Sequence, residues 1–518
     1  MRWLPHVSFS ILLVACGPAA TPAPAAPPPT APPRVEADQG TTAPEPSLAP
    51  PPPAECEQLV AHGTPEPGCG ADPIATREAL AAALEMTDSI ARDAALTRLE
   101  VCPDFAPGVV RGVRVELAPV ACGDALVGDV PTVEADELAP PIRDALRGLA
   151  VAAKLNRLVR NPPQLSPPFD KARFDEFMKG DLAQWIVEQA HAIQQLAEAG
   201  AALDGYGKGV VAIEAGMADM RFVEVVRGVP LPEPIASDPE LKDVYYGSLD
   251  QALEPRKQRG RDAALVGLKL LAEVGVLEDQ RIDRARALLS KLYNGRRIDA
   301  LDALMLPDPV TSSPVGLTER LATALPTFYA GIVLREEDPG DPALLGALLQ
   351  QGLPGVYRGK LDAENLSPEA RLLVAEALFE SGQLYWRAAD FEQAAAFLAE
   401  PIPGSNAEAA KLLAALADAL RSGPADAAQM MAKGPAAAGM RDVSKLDRLA
   451  LLGGPYAGAA AFDAAFILEL APPVNDAKGF WKDLQRRYER AAVRLAGARR
   501  QQALDAASAA GETLKAIP

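Results

Sequence analysis

Histidine is almost missing from this chain of 518 residues, which holds three. His62 sits in a loop between cysteines, and His191 lies mid-helix beside Gln184, Glu188 and Gln195, turned away from the apolar stripe of Trp185, Ile193 and Leu196. Neither has a partner at metal-ligand or triad spacing, and neither H-E-x-x-H nor G-x-S-x-G occurs. Positive charge is also short: 51 basic against 69 acidic residues give a net charge of −18, a surface that repels phosphate backbones and argues against a nucleic-acid partner. Beyond residue 16 no apolar run approaches the roughly 20 residues that span a bilayer, so the body reads as soluble.

Aromatics are scarce as well, at 5 %, although 49 % of the residues are hydrophobic. Alanine and leucine make up the difference, and both lose little entropy in a helix. The expected fold is all-α, built of helical hairpins in a solenoid-like arrangement.

The N-terminus carries the most specific pattern. Arg2 is a minimal positive region, Val7 to Val14 form a short apolar stretch, and Leu13-Val14-Ala15-Cys16 follows. This resembles the lipobox of bacterial lipoproteins. The resemblance implies cleavage before Cys16, lipidation of its thiol and a membrane anchor, the protein's membrane partner. Gly17 in place of aspartate resembles an outer-membrane address, with the periplasmic or surface side left open. Residues 17–55 are rich in proline and alanine without apolar periodicity and read as a disordered linker. At about 3.1 Å per residue this linker reaches on the order of 100 Å.

With Cys16 set aside, Cys56, Cys69, Cys102 and Cys122 are an even set in an exported chain and read as disulfides within a small helical subdomain, 56–130. Of three possible pairings, short loops containing turn residues favour Cys56–Cys69 with Cys102–Cys122. A zinc site lacks both C-x2-C and a histidine pair.

Helical periodicity continues to the end. Helices are expected over 76–85, 88–99 with Asp88 as N-cap, 140–158, 174–203, 210–226, 241–253, 263–274, 282–292 and 298–306. Residues 109–117 could form a strand, but their helical neighbours favour a helix. The stretch "PDPVTSSPVG", 307–316, marks the boundary between a helical domain, 131–306, and a C-terminal domain, 317–518. In the latter, Gly382, Tyr385, the turn Ala389-Asp390-Phe391, Ala394 and Leu398 resemble one tetratricopeptide repeat, with Pro401 ending its second helix early. Residues 406–420 and 457–470 could be degenerate neighbours. Residues 476–517 read as one long basic helix, with Phe480, Leu484, Tyr488, Ala491 and Leu495 on one face.

Other motifs weigh less. "GYGKGV", 205–210, fails as a phosphate loop because Ala202 replaces the first glycine and Gly209 the Ser/Thr, and it reads as a flexible helix junction. "EEDPGDP", 336–342, lacks calcium-ligand spacing and reads as a solvated turn. "EPRKQRGRD", 254–262, reads as a solvated helix end. The resulting expectation is a non-enzymatic, lipid-anchored scaffold or adaptor of the cell envelope, without catalytic residue, cofactor, metal or small-molecule ligand, acting through protein partners. A structural spacer and a carboxylate-dependent enzyme on cell-wall polymer are the alternatives.

Overall fold

The computed structural model describes residues 49–517 apart from 60–65, 129–136, 168–169, 232, 294, 311–312, 436–441 and 474. Cys16, His62 and residues 17–48 therefore lie outside the described residues. Residues 47–518 form one compact unit. The described chain is all-helical, with no strand among the described residues and a single isolated bridge, Val276 to Gly352.

The fold already includes described residues of the expected linker, 49–55. Ala49 is buried, and the Pro50 carbonyl accepts from Arg157 Nε at 2.7 Å. The first helices are α1 (Pro73–Leu84), α2 (Ser89–Leu99), α3 (Val109–Leu117) and α4 (Gly123–Val127). Asp72 and Asp88 cap α1 and α2 by accepting from Ala75 and Ala91 N–H at 2.8 and 2.7 Å. The ambiguous 109–117 segment is helix α3, with Val109, Val110, Val113 and Val115 buried.

Next come α5 (Pro140–Arg157), α6 (Lys171–Lys179), α7 (Asp181–Ala201), α8 (Gly205–Arg227) and α9 (Pro239–Val274). Three expectations change here. The expected helix 174–203 is two helices, broken at Gly180. Residues 205–210 are no flexible junction but the first turns of α8, and Gly207 is pressed against α5: a Cβ there would lie 2.0 Å from the Asp144 carbonyl oxygen. The 254–262 cluster is not a helix end. It lies inside the 36-residue α9, which absorbs Pro255. Its Arg256 and Arg259 clasp the buried Asp219 of α8 at 2.6–3.0 Å, and Arg256 stacks over Phe222 at 4.1 Å. Unpaired, that carboxylate would be costly to bury.

The α8–α9 contact is a glycine seam. Gly209 and Gly216 of α8 face Gly267 and Gly260 of α9, seven residues apart on each helix. A Cβ on Gly216 would lie 2.6 Å from the Gly260 carbonyl oxygen.

Helix α10 (Gln280–Leu292) follows, then not the expected helix 298–306 but one 3₁₀ turn, Ala300–Ala303. The chain continues through α11 (Leu317–Ala324), α12 (Thr327–Val333), α13 (Pro342–Leu348), α14 (Pro368–Tyr385), α15 (Ala388–Phe397), α16 (Ala407–Leu420) and α17 (Ala427–Lys433). It ends with α18 (Ser444–Leu452), α19 (Ala457–Leu470), α20 (Ala477–Arg494) and α21 (Gly497–Ala516). From α18 onward each helix packs on the next. The expected single helix 476–517 is thus a hairpin. It breaks where Leu495 and Ala496 are extended and Gly497 is left-handed (φ +55°), so that Ala503, Ala507 and Ala510 of α21 become buried.

One continuous core includes residues on both sides of 307–316, from Leu289 and Leu301 to Tyr329, Phe379 and Tyr488. Within it Asp463 of α19 is fully buried. Its Oδ1 accepts from Met305 N–H at 2.8 Å, while Oδ2 has no hydrogen-bond partner. Burial pushes this carboxyl up to about 7. The folded value exceeds the unfolded one, so its contribution is present below about pH 4 and is lost as pH rises through about 7. The slope is about 1.4 kcal/mol per pH unit inside that window. Asp463→Asn keeps an acceptor for Met305. The variant should melt higher than wild type at pH 8, with the gap closing towards pH 4 in a series of thermal melts. A gap that is absent or independent of pH would refute the assignment.

Candidate docking grooves

The cysteines form two nested disulfides, and the favoured pairing is corrected. Cys56 bonds Cys122 and Cys69 bonds Cys102, with Cα atoms 5.3 and 5.4 Å apart. The reason lies in the hairpin of α1 and α2. A helical hairpin returns the chain to its starting point, so cysteines just before and just after it meet, and Gly68 N–H donating to the Arg98 carbonyl at 2.9 Å closes that mouth. Arg114 stiffens the subdomain by pairing with Asp93 at 2.6 Å and Glu100 at 3.0 Å. His191 is exposed, on the polar face that its periodicity indicated. The acidic turn 336–342 serves structure: Asp341 caps α13 through Ala343 N–H, and Glu337 pairs with Arg77 at 3.0 Å.

The residues from Gly382 to Leu398 belong to a tight helix pair, α14 and α15. A Cβ on Gly382 would lie 2.8 Å from the Phe391 ring, which shows how closely the two helices approach. The aromatics at their junction are spent on the core. Tyr385 Oη donates to the Val276 carbonyl and Trp386 Nε1 to the Ile298 carbonyl, both at 2.7 Å. Trp386 is left-handed (φ +56°) and fully buried, a conformation held by its packing. Helix α15 ends at Phe397, ahead of Pro401.

Because the pairs do not fill the space between them, grooves remain. One, about 780 Å³, lies between α15, α16 and α18, with Leu398, Ile402, Ala410 and Ala414 among its apolar walls and Lys411 and Arg448 among its polar ones. A second, about 480 Å³, lies where α9 meets the α14–α15 junction and α17, with Leu265, Val266 and Ala389 beside Lys269 and Arg387. A third, about 450 Å³, lies between α18, α19 and α20, with Leu451 and Val493 beside Arg487, Arg490 and Arg494. The first two, with apolar walls and a few placed charges, suit side chains of a partner segment.

A further hollow of about 540 Å³ is acidic, with Glu278, Asp279, Asp283 and Glu380 in its walls. Burial, reinforced by Glu278, pushes Glu380 up to about 7, whereas Asp279 is paired with the buried Arg281 at 2.8 Å. Arg281 also holds Glu116 at 2.6 Å, tying α10 to α3. Among the described residues no group of three or more His, Cys, Asp or Glu is placed to hold a metal ion, and no described helix is long and apolar enough to cross a membrane.

Sequence reasoning missed the grooves and the buried charges, since both arise between helices distant in the chain. No family model, no curated protein and no solved structure matches the chain.

Proposed function

We propose that this protein is a lipid-anchored helical scaffold of the bacterial cell envelope, held to the outer membrane through Cys16 and binding protein partners in the grooves of its C-terminal half. The observation that carries the binding role is the 780 Å³ groove, open between α15, α16 and α18 and walled by aliphatic side chains with basic residues among them. Such a groove accepts an extended or helical segment by its apolar face. The anchor rests on the lipobox, and residues 17–48 supply the reach between anchor and body.

The test is co-purification from native membranes. Cys16→Ser should move the protein out of the membrane fraction and remove the lipid mass from its N-terminal peptide. Ala414→Trp, which fills the groove, should remain in membranes and lose the partners that wild type retains. Unchanged fractionation of Cys16→Ser would sink the anchor. Identical partner sets for wild type and Ala414→Trp, at equal melting temperature, would sink the groove.

A further inference from the structure

Large apolar side chains are exposed at several places among the described residues, Ile74, Val187 and Val244 among them at 67–69 %. The four above 70 % are Val315 at 86 % and three that stand together: Leu451 at 82 %, Leu452 at 74 % and Val493 at 84 %. Leu451 and Val493 wall the same hollow, and Leu452 walls the next one. The leucines end α18, where Gly453 and Gly454 turn the chain away with φ of +83° and +104°. They therefore form a ridge between two hollows.

The surroundings are basic on an acidic protein. Six basic and two acidic side chains wall the two hollows, against a net charge of −18 for the whole chain. Some of these cations are committed internally. Arg487 pairs with Asp447 and Asp483, both at 2.8 Å, and Arg494 donates to the Ala450 carbonyl. Arg448 is exposed, Arg490 lies 3.9 Å from Asp483 with most of its side chain in solvent, and Lys445 shares Asp418 at 3.0 Å. At physiological salt the Debye length is about 8 Å, so a nearby surface responds to this local cluster and little to the distant acidic faces.

We propose that the end of α18 and the facing edge of α20 form a contact surface for anionic lipid, with Leu451, Leu452 and Val493 entering the bilayer interface while Arg448, Arg490 and Lys445 meet lipid phosphates. Two observations choose a bilayer over an acidic protein helix. The aliphatic groups project from a ridge, whereas a docking helix needs them on a groove floor. The residues that precede the fold include a stretch that resembles a lipobox, Leu13 to Cys16, which on the proposed reading keeps the body within tether reach of a membrane. This deepens the lipid-anchored reading by giving the body its own lipid contact, one that does not require Cys16.

The test uses residues 47–518, which hold the entire described core and lack the anchor, so its result is independent of lipidation. In flotation assays, wild type should bind phosphatidylglycerol-rich vesicles, bind phosphatidylcholine vesicles weakly, and lose binding as salt is raised. Leu451→Asp with Leu452→Asp should weaken binding about tenfold or more, as should Arg448→Glu with Arg490→Glu. Both variants alter exposed side chains and should melt like wild type. Absence of wild-type flotation overturns the proposal, as does equal flotation of the double-aspartate variant. Protection of Leu452 by an acidic amphipathic peptide, without vesicle binding, would overturn it in favour of a protein partner.

Discussion

Gly216→Val should cost about 3 kcal/mol or more and abolish cooperative unfolding near the wild-type midpoint. The reason is the α8–α9 seam. The first carbon added at Gly216 would lie 2.6 Å from both the Gly260 carbonyl oxygen and the Ala264 amide nitrogen, which are backbone atoms that cannot rotate away. Relief requires the helices to separate, and their interface holds Asp219 with its two arginines. Alanine makes the sharper comparison. Helix propensity alone favours alanine over glycine by about 1 kcal/mol, so a destabilised Gly216→Ala inverts the sign expected from propensity. Gly247, on the same α9 with open space around its Cβ position, is the control and should gain stability on the same change. Urea denaturation of the two alanine variants checks both signs. If Gly216→Ala were as stable as Gly247→Ala, the seam would not be closed as described.

The second large effect is expected at the disulfides. Breaking Cys56–Cys122, which spans 66 residues, should cost roughly 3–5 kcal/mol through the freedom returned to the unfolded chain. Breaking Cys69–Cys102, which spans 33, should cost slightly less, because loop entropy grows only with the logarithm of length. Cys122→Ser and Cys102→Ser, melted under non-reducing conditions, measure the two. Proteolysis without reduction should release linked peptides containing residues 56 with 122 and 69 with 102. A linked peptide joining Cys56 to Cys69 would refute the nested arrangement and restore the short-loop pairing.

The pairing illustrates what can be read along a chain and what cannot. Helix starts are local: Asp72, Asp88, Asp170 and Asp238 each cap a helix through an amide two or three residues away. The periodicity of 140–158 is also local and reappears as α5. Short loops between cysteines follow the same local logic and favour Cys56–Cys69 with Cys102–Cys122. The observed pairing instead depends on where α1 and α2 return the chain. The basic run 254–262 shows the same limit. Composition gave it a solvated role, yet a carboxylate on another helix draws two of its arginines inward, at Asp219.

By itself, then, the sequence determined the all-helical class, several helix starts, the even set of four cysteines and the exposed face of His191, and it holds the lipobox-like stretch on which the anchor proposal rests. These depend on backbone propensity, capping and periodicity, whose range is a few residues. The tertiary structure alone decided that "GYGKGV" packs against α5, that the last helix is a hairpin, that the cysteines nest, and that Leu451, Leu452 and Val493 share one basic edge. Each of these depends on contacts between residues far apart in the chain, where packing and charge pairing outweigh local preference.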